Sequence, residues 1–338
     1  MSDDLGRHLK AFLQLYLRQQ RELSPNTIRS YRDAFKLLLG FVHTRKPERN
    51  NVAVKDIDAK TILAFLQNLE DGEAGRGNGV RTRNHRLAAI QAFFKYLSLH
   101  VPATETQARR ILAIPSKKTA SKPADFLTAP ELEALFEQPQ TSSADGFRDL
   151  ALLVFLYNSG ARAQEVADLR ISSFDFTHRT VRIIGKGTNE RVLPLQPETI
   201  KLLKLYKERH RRRGACEHFF VNQRGGRFTR FGIRTIVKKS LRLASRVCPS
   251  IAAKRLSTHS LRHTCASHLL ASGLELNVIR EWLGHKRLAT TSGIYTHVDL
   301  SPQRRIYERF GPSNYVASIV DSICREPRGQ SYAWLDDI

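Results

Sequence analysis

His259 and Arg262 stand three residues apart in the segment Ser257-Thr-His-Ser-Leu-Arg-His263. On a helix that spacing puts both side chains on one face. Thr258 suits the N-cap of such a helix. The basic pair then falls in the first turn, where backbone N–H groups without helical partners also attract an anion. A phosphate fits this combination of directed donors and positive charge. Further along, Leu283-Gly-His285 is followed ten positions later by Tyr295. A phenol brought to a bound phosphate is a nucleophile if its proton can be removed.

Other polar residues stand out in less telling surroundings. Arg162 follows Asn158-Ser-Gly160 by two positions, and Glu165 lies about one helical turn after it. Lys186 sits between Gly185 and Gly187 at the tip of an expected hairpin. Each alone has a plain explanation: an arginine after a helix is usually a surface residue, a glutamate there a surface carboxylate, and a lysine in a turn aids solubility. His259 and His263 are four apart and could be read as a metal pair. No Glu follows His259 as in a His-Glu-x-x-His pattern, and no further acidic ligand lies nearby, so no metal is expected.

Taken in order, the segments Asn158-Ser-Gly-Ala-Arg162-Ala-Gln-Glu165, Gly185-Lys186-Gly187, His259-Ser-Leu-Arg262-His263, Leu283-Gly-His285 and Thr290-Thr-Ser-Gly-Ile-Tyr295-Thr-His297 resemble the active-site boxes of the tyrosine recombinases, the phage integrase or Xer-like family. The resemblance covers about Phe126 to Val298 and extends more weakly to the N-terminal half. His285 to Tyr295 is one residue longer than family members often have, with Ser292-Gly293 where one residue is usual. A glycine can absorb such an insertion in a loop.

The resemblance implies a site-specific recombinase. Its catalytic set would be Arg162, Lys186, His259, Arg262, His285 and the nucleophile Tyr295, with Glu165 and His263 supporting them. The physical logic agrees. Cleaving a phosphodiester requires neutralising the non-bridging oxygens as the five-coordinate state forms, and guanidiniums donate paired hydrogen bonds to such oxygens. A tyrosine hydroxyl has a pKa of about 10 and needs a base or a cationic field. By the resemblance, Lys186 protonates the leaving 5′-oxygen, His285 hydrogen-bonds the phosphate and His259 assists proton transfer near the tyrosine. The product would be a 3′-phosphotyrosyl intermediate, resealed without ATP, with strand exchange through a Holliday junction. Two other classes remain open: a non-catalytic DNA-binding regulator on the same scaffold, and a type IB topoisomerase-like nicking-closing enzyme.

The surrounding sequence must position these groups. Its 338 residues carry 55 Lys and Arg against 32 Asp and Glu, a net charge of +23, which steers toward a polyanion and makes nucleic acid the default partner. Hydrophobic residues make up 41%, enough for globular cores. No apolar run reaches the ~18 residues a membrane span needs. The opening Met-Ser-Asp-Asp has no signal-peptide character. Four cysteines, Cys216, Cys248, Cys265 and Cys324, form no Cys-x-x-Cys pair and read as free thiols in a reducing compartment.

Residues 1–114 read as helical throughout, with Ser24-Pro25 opening a helix whose stripe is Ile28, Tyr31, Phe35, Leu38, Leu39 and Val42. A second stripe is Leu87, Ile90, Phe94 and Leu97, entered through a glycine-rich basic loop carrying Arg81, Arg83 and Arg86. Residues 115–125, with Lys117, Lys118 and Lys122 between prolines, read as a basic linker. These six cations are the expected DNA contacts. Thr128 and Glu131 fit a capping box, and 147–157 a buried helix ended by Gly160. Thr180–Ile184 and Arg191–Leu195 fit a hairpin. His218–Val221 reads as a short strand, and helices are expected at 197–213, 229–246, 259–272 and 275–283.

The fold class expected is therefore mainly α with a small antiparallel β-sheet (α+β), in two domains. By the resemblance these are an all-helical SAM-like core-binding domain and a mixed catalytic domain over 126–311. A C-terminal segment, 312–338, would dock on a neighbouring protomer. The family implies no cofactor, double-stranded DNA recombination sites as partners, and a homotetramer on DNA that is monomer or dimer when free. No membrane partner is expected, and the location is cytoplasmic, at the nucleoid when bound.

Overall fold

The computed structural model describes residues 5–45, 52–73, 76–119, 125–185, 190–211, 216–284 and Ala317. The chain divides into two compact units, Met1–Lys122 and Pro123–Ile338.

The first unit is helical. Helix α1 (Leu5–Ala11) continues as a wider-wound stretch over Phe12–Gln20, followed by α2 (Pro25–Arg45), α3 (Ala59–Glu70), α4 (Val80–His100) and α5 (Glu105–Leu112). Ser24 caps α2 through its hydroxyl, which accepts from the Thr27 N–H at 3.3 Å, and Pro25 takes the first helical position as expected. The stripe Leu87, Ile90, Phe94 and Leu97 is wholly buried. Phe12 and Phe35 close on Phe93 with ring centroids 5.3 and 5.1 Å apart. Burying each such side chain contributes about 1.5–3 kcal/mol, so the aromatic cluster organises this unit.

The second unit is built around α7 (Ala144–Ser159), which follows α6 (Ala129–Phe136) and is buried from Leu150 to Ser159. An all-round apolar helix belongs inside a core. The expected capping box forms at α6, where the Glu131 carboxylate accepts from the Thr128 N–H at 2.8 Å. After α7 come α8 (Ala163–Asp168) and the strands β1 (Phe174–Asp175), β2 (Thr180–Ile184) and β3 (Glu190–Pro194). They form one antiparallel sheet in the order β1-β2-β3, with Ile183 opposite Arg191 and Val181 opposite Leu193. Helices α9 (Pro197–Leu205), α10 (Arg230–Val247), α11 (Thr258–Ala271) and α12 (Leu276–Leu283) complete the unit, and α7 packs against both α9 and α11. Among the described residues no helix is long and apolar enough to cross a membrane.

One expected element differs. His218–Val221 is not a strand; it makes only single bridges, Arg170 to His218 and Val221 to Arg227. Phe219 and Phe220 are both buried, so the segment serves the core with consecutive side chains and cannot alternate as a half-buried strand does. The expected protomer-docking segment lies outside the described residues apart from Ala317.

Candidate active site

The site begins where α7 stops. Gly160 caps the helix with φ +58°, the left-handed region that suits glycine. A Cβ there would meet Leu283 Cδ2 at 2.6 Å and Cys265 Sγ at 3.3 Å, so the absent side chain lets α11 and α12 close over the turn. Two residues on, Arg162 is the N-cap of α8, in an extended conformation. Glu165 at the third helical position accepts from the Arg162 backbone N–H at 2.9 Å and from its Nη1 at 2.8 Å. One carboxylate thus starts the helix and holds the arginine side chain, which stays 43% exposed.

Arg262 arrives from α11. The cap of that helix is Ser257 rather than Thr258: the Ser257 hydroxyl accepts from the His259 N–H at 3.2 Å, and the Ser260 hydroxyl accepts from the Ser257 N–H at 3.0 Å. Thr258 is buried in the first turn instead. Arg262 is 3% exposed. Its Nη1 donates to the Gly160 carbonyl at 2.8 Å and its Nη2 to the Leu283 carbonyl at 2.5 Å. The guanidinium therefore joins the end of α7 to the end of α12. His259, one turn earlier, is exposed and sets its ring edge-on to His263 at 4.7 Å between centroids.

A further arginine belongs to the group. Arg191 on β3 donates through Nη2 to the second oxygen of Glu165 at 2.8 Å, with its side chain 10% exposed. Its guanidinium lies over Gly284, the left-handed cap of α12 (φ +66°), where a Cβ would meet Nη1 at 3.1 Å. Burial pulls the Arg262 guanidinium down to about 10; Arg162 and Arg191 push the same way, and Glu165 opposes them. Burial alone would raise Glu165, but the bonds from Arg191 and Arg162 outweigh it and hold the carboxyl below its ordinary range. Three guanidiniums share one carboxylate. Such an excess of fixed positive charge is stabilised by an added anion.

Nearby, burial pushes the Cys265 thiol up to about 12, which keeps it protonated and unreactive. No group of three or more His, Cys, Asp or Glu suited to a metal occurs among the described residues.

Of the sequence-predicted site residues, the structure brings Arg162, Glu165 and Arg262 together, with His259 and His263 on the helix that carries Arg262. Lys186, His285 and Tyr295 lie outside the described residues, although Gly185 and Gly284 beside the first two are described. In the helical unit Arg81 is exposed and Arg86 donates to the Ser30 carbonyl at 3.3 Å. Arg83 is turned inward, 4% exposed, and donates to the Pro115 carbonyl at 3.2 Å. Lys117 pairs with Glu70 at 2.7 Å, and Asn84 bonds both the backbone N–H and the carbonyl of Lys117. Lys118 is exposed, and Lys122 lies outside the described residues.

Two features went unread in the sequence. One is Arg191, which strand alternation could have found: it shares the inward face of β3 with Leu193, two positions on. The other is the exposed row Arg234, Lys238, Arg242 and Arg246 on α10, with Phe231, 60% exposed, against Arg230 and Arg234 at its start. Its four-residue spacing was legible as one helical face.

Comparison with known proteins places this geometry. Residues 125–301 match the Phage integrase family, and residues 9–99 match the Phage integrase N-terminal SAM-like domain. The integrase/recombinase-type protein y4rC of Sinorhizobium fredii is 37% identical over 329 residues, covering 93% of this chain and 97% of its own. Tyrosine recombinase XerC of Pelobacter propionicus is 30% identical over 310 residues, 91% of this chain and 96% of its own. Among solved structures, a lambda integrase (75–356) dimer bound to a COC′ core site aligns with a TM-score of 0.63 at 13% identity, covering 87% of this chain and 99% of that one. The lambda integrase tetramer bound to a Holliday junction aligns at 0.60 and 15% identity, covering 86% of this chain and 80% of that one. At these identities the structural likeness is one of fold.

Proposed function

The chain belongs to the phage integrase family and is a tyrosine recombinase, an enzyme that breaks and rejoins DNA; from that premise we propose that it exchanges strands between specific DNA sites with Tyr295 as nucleophile. The observation that carries this reading is the meeting of Arg162 and Arg262 in one charge cluster, from segments about a hundred residues apart in sequence.

In the proposed reaction the scissile phosphate adds its negative charge to that cluster. Arg162 and Arg262 donate to its non-bridging oxygens. Arg262 is held by two backbone carbonyls and Arg162 by Glu165, so little reorganisation is needed as charge develops, and fixed donors of this kind are worth several kcal/mol of barrier. The Tyr295 oxygen attacks phosphorus, forming a 3′-phosphotyrosyl bond. The bond to the 5′-oxygen breaks, and Lys186 supplies its proton. His285 adds a hydrogen bond to the phosphate, and His259 assists proton transfer at the tyrosine. One phosphodiester replaces another of similar energy, so the free 5′-hydroxyl of a partner strand reverses the step without ATP.

Four protomers would hold two duplexes and pass through a Holliday junction, as the lambda integrase tetramer bound to such a junction suggests. Residues 312–338 would close the ring head to tail. The helical unit, the linker cations and the α10 row would track phosphates. The compartment would be the cytoplasm.

A DNA duplex nicked near the cleavage point tests the reading. The wild-type chain is expected to form a covalent adduct resistant to denaturant, absent in Tyr295→Phe, and a junction product when two sites are present. A DNA-binding regulator would give no adduct. Relaxation of supercoiled DNA lacking any special site would favour the topoisomerase-like alternative.

A further inference from the structure

The geometry points to Arg191 as a positioning residue for the cleavage step: it locks the Glu165 carboxylate that holds Arg162 and sets the turn at Gly284 that leads into His285. This deepens, and rests on, the recombinase reading above.

Four observations converge on this role. Arg162 bonds both oxygens of Glu165, Oε2 through its backbone N–H at 2.9 Å and Oε1 through Nη1 at 2.8 Å, and Arg191 adds a second bond to Oε2 at 2.8 Å. With Arg162 alone the carboxylate is held within its own helix; the bond from the sheet ties it to β3 as well and restricts its side-chain torsions further. Second, the Arg191 guanidinium packs on Gly284, where a Cβ would stand 3.1 Å from Nη1, a tight contact, on a backbone whose φ of +66° already favours glycine. Glycine 284 follows Leu283, whose carbonyl accepts from Arg262. Arg191 therefore abuts the same turn that anchors the second arginine. Third, Arg191 stands five positions after Lys186 in the sequence, and its pairing with Ile183 fixes the register at that end of the sheet.

The fourth observation is energetic. A guanidinium buried to 10% exposure is costly to desolvate. Arg191 Nε is buried without a hydrogen-bond partner among the described residues, and Arg191 shares the carboxylate of Glu165 with Arg162. It also lies close enough to Arg262 for their like charges to repel. An apolar residue on the inward face of β3, beside Leu193, would serve stability better. A charge kept at that cost is explained by holding the active-site carboxylate.

Arg191 is distinct from the groups that touch phosphate. Its expected signature is a change in the rate and pH response of cleavage with little change in DNA affinity. The groups facing Glu165 are Arg162 from its own helix, Arg191 from the sheet and Arg262 from α11. Removing Arg191 leaves burial less opposed, so Glu165 takes up a proton at higher pH and releases Arg162.

The test is single-turnover cleavage of the nicked duplex at saturating DNA, across pH, with wild type, Arg191→Met, Arg191→Lys and Tyr295→Phe. Arg191→Met is expected to cleave about a hundredfold more slowly, the scale of a small misplacement of reacting groups. Its acid limb should move to higher pH, with DNA affinity within about twofold of wild type; Arg191→Lys, restoring charge and one bond, should recover part of the rate and of the acid limb. If Arg191→Met does not fold by circular dichroism, Arg191→Gln replaces it with the same expectations. Wild-type rates in the neutral variants would overturn the assignment. So would equal slowing in the Lys and neutral variants with an unmoved acid limb, which marks mere packing. Failure of the recombinase reading is seen separately, as no adduct from the wild-type chain.

Discussion

Arg262 donates to the carbonyl of Gly160 at 2.8 Å, across 102 residues of sequence. That bond ties the helix bearing one of the two arginines proposed to bind phosphate to the turn that releases the other, Arg162. The turn exists because Gly160 adopts φ +58° beneath Leu283 and Cys265.

Gly160→Ala is expected to destabilise the second unit by about 1–3 kcal/mol, from left-handed strain and the contact with Leu283. Thermal melts would register this as a lowered midpoint. The adduct yield should fall too, because Arg262 loses its anchor. An unchanged melt together with unchanged cleavage would show that the turn tolerates a Cβ and plays no such part.

Arg162→Lys and Arg262→Lys keep the charge and lose the planar fork. Cleavage in each is expected to fall by at least about a hundredfold, the scale seen when a fixed transition-state donor is removed. DNA affinity should change far less. Adduct formation against time at saturating DNA makes the measurement, and near-wild-type rates would remove these side chains from the chemistry.

The helical unit allows a paired comparison. Arg81→Ala should reduce the slope of log affinity against log salt by about 1, as expected of a lost phosphate contact. Arg83→Ala should leave that slope alone and cost about 2 kcal/mol of stability, since Arg83 is buried and makes a charged bond to the Pro115 carbonyl. Filter binding over a salt series and denaturant melts separate the two; the opposite pattern would mean that Arg83 turns outward on DNA.

Glu131 sets an acid limit on stability. Burial pushes its carboxyl up, but the bonds from Lys254 at 2.5 Å, Ser250 at 2.6 Å and the Thr128 N–H prevail and hold it at about 2. Because the folded value lies below the unfolded one, its contribution is complete above the ordinary glutamate range near 4.5 and drains away as pH falls toward 2. Glu131→Gln should lose about 2 kcal/mol at neutral pH and show a flatter decline on acidification. Urea melts from pH 7 downward read this directly, and parallel curves for the two proteins would refute it.

Much of the fold was legible because its signals are local. Ser24-Pro25, the Thr128–Glu131 box, the glycine end of α7 and the apolar stripe Leu87, Ile90, Phe94, Leu97 each act within one or two turns, and each stands where the residue pattern put it. The helix cap at Ser257 and the missing strand at His218–Val221 were misread. Neighbouring hydroxyls compete for the same N–H, and consecutive buried phenylalanines imitate a strand. Strand alternation marks Arg191 as inward-facing, but its role was not legible because its partner, Glu165, lies 26 residues away.

The sequence by itself determined the family, the two helical and mixed units, and the identities of Arg162 and Arg262 as a potential phosphate clamp. Only the tertiary structure decided which cations face inward. It turned Arg83 toward Pro115, set Arg191 on Glu165 and Gly284, and anchored Arg262 between two helix ends. The reason is physical: capping and periodicity are set by groups a few residues apart, whereas burying a charge depends on partners that meet only when the chain has folded.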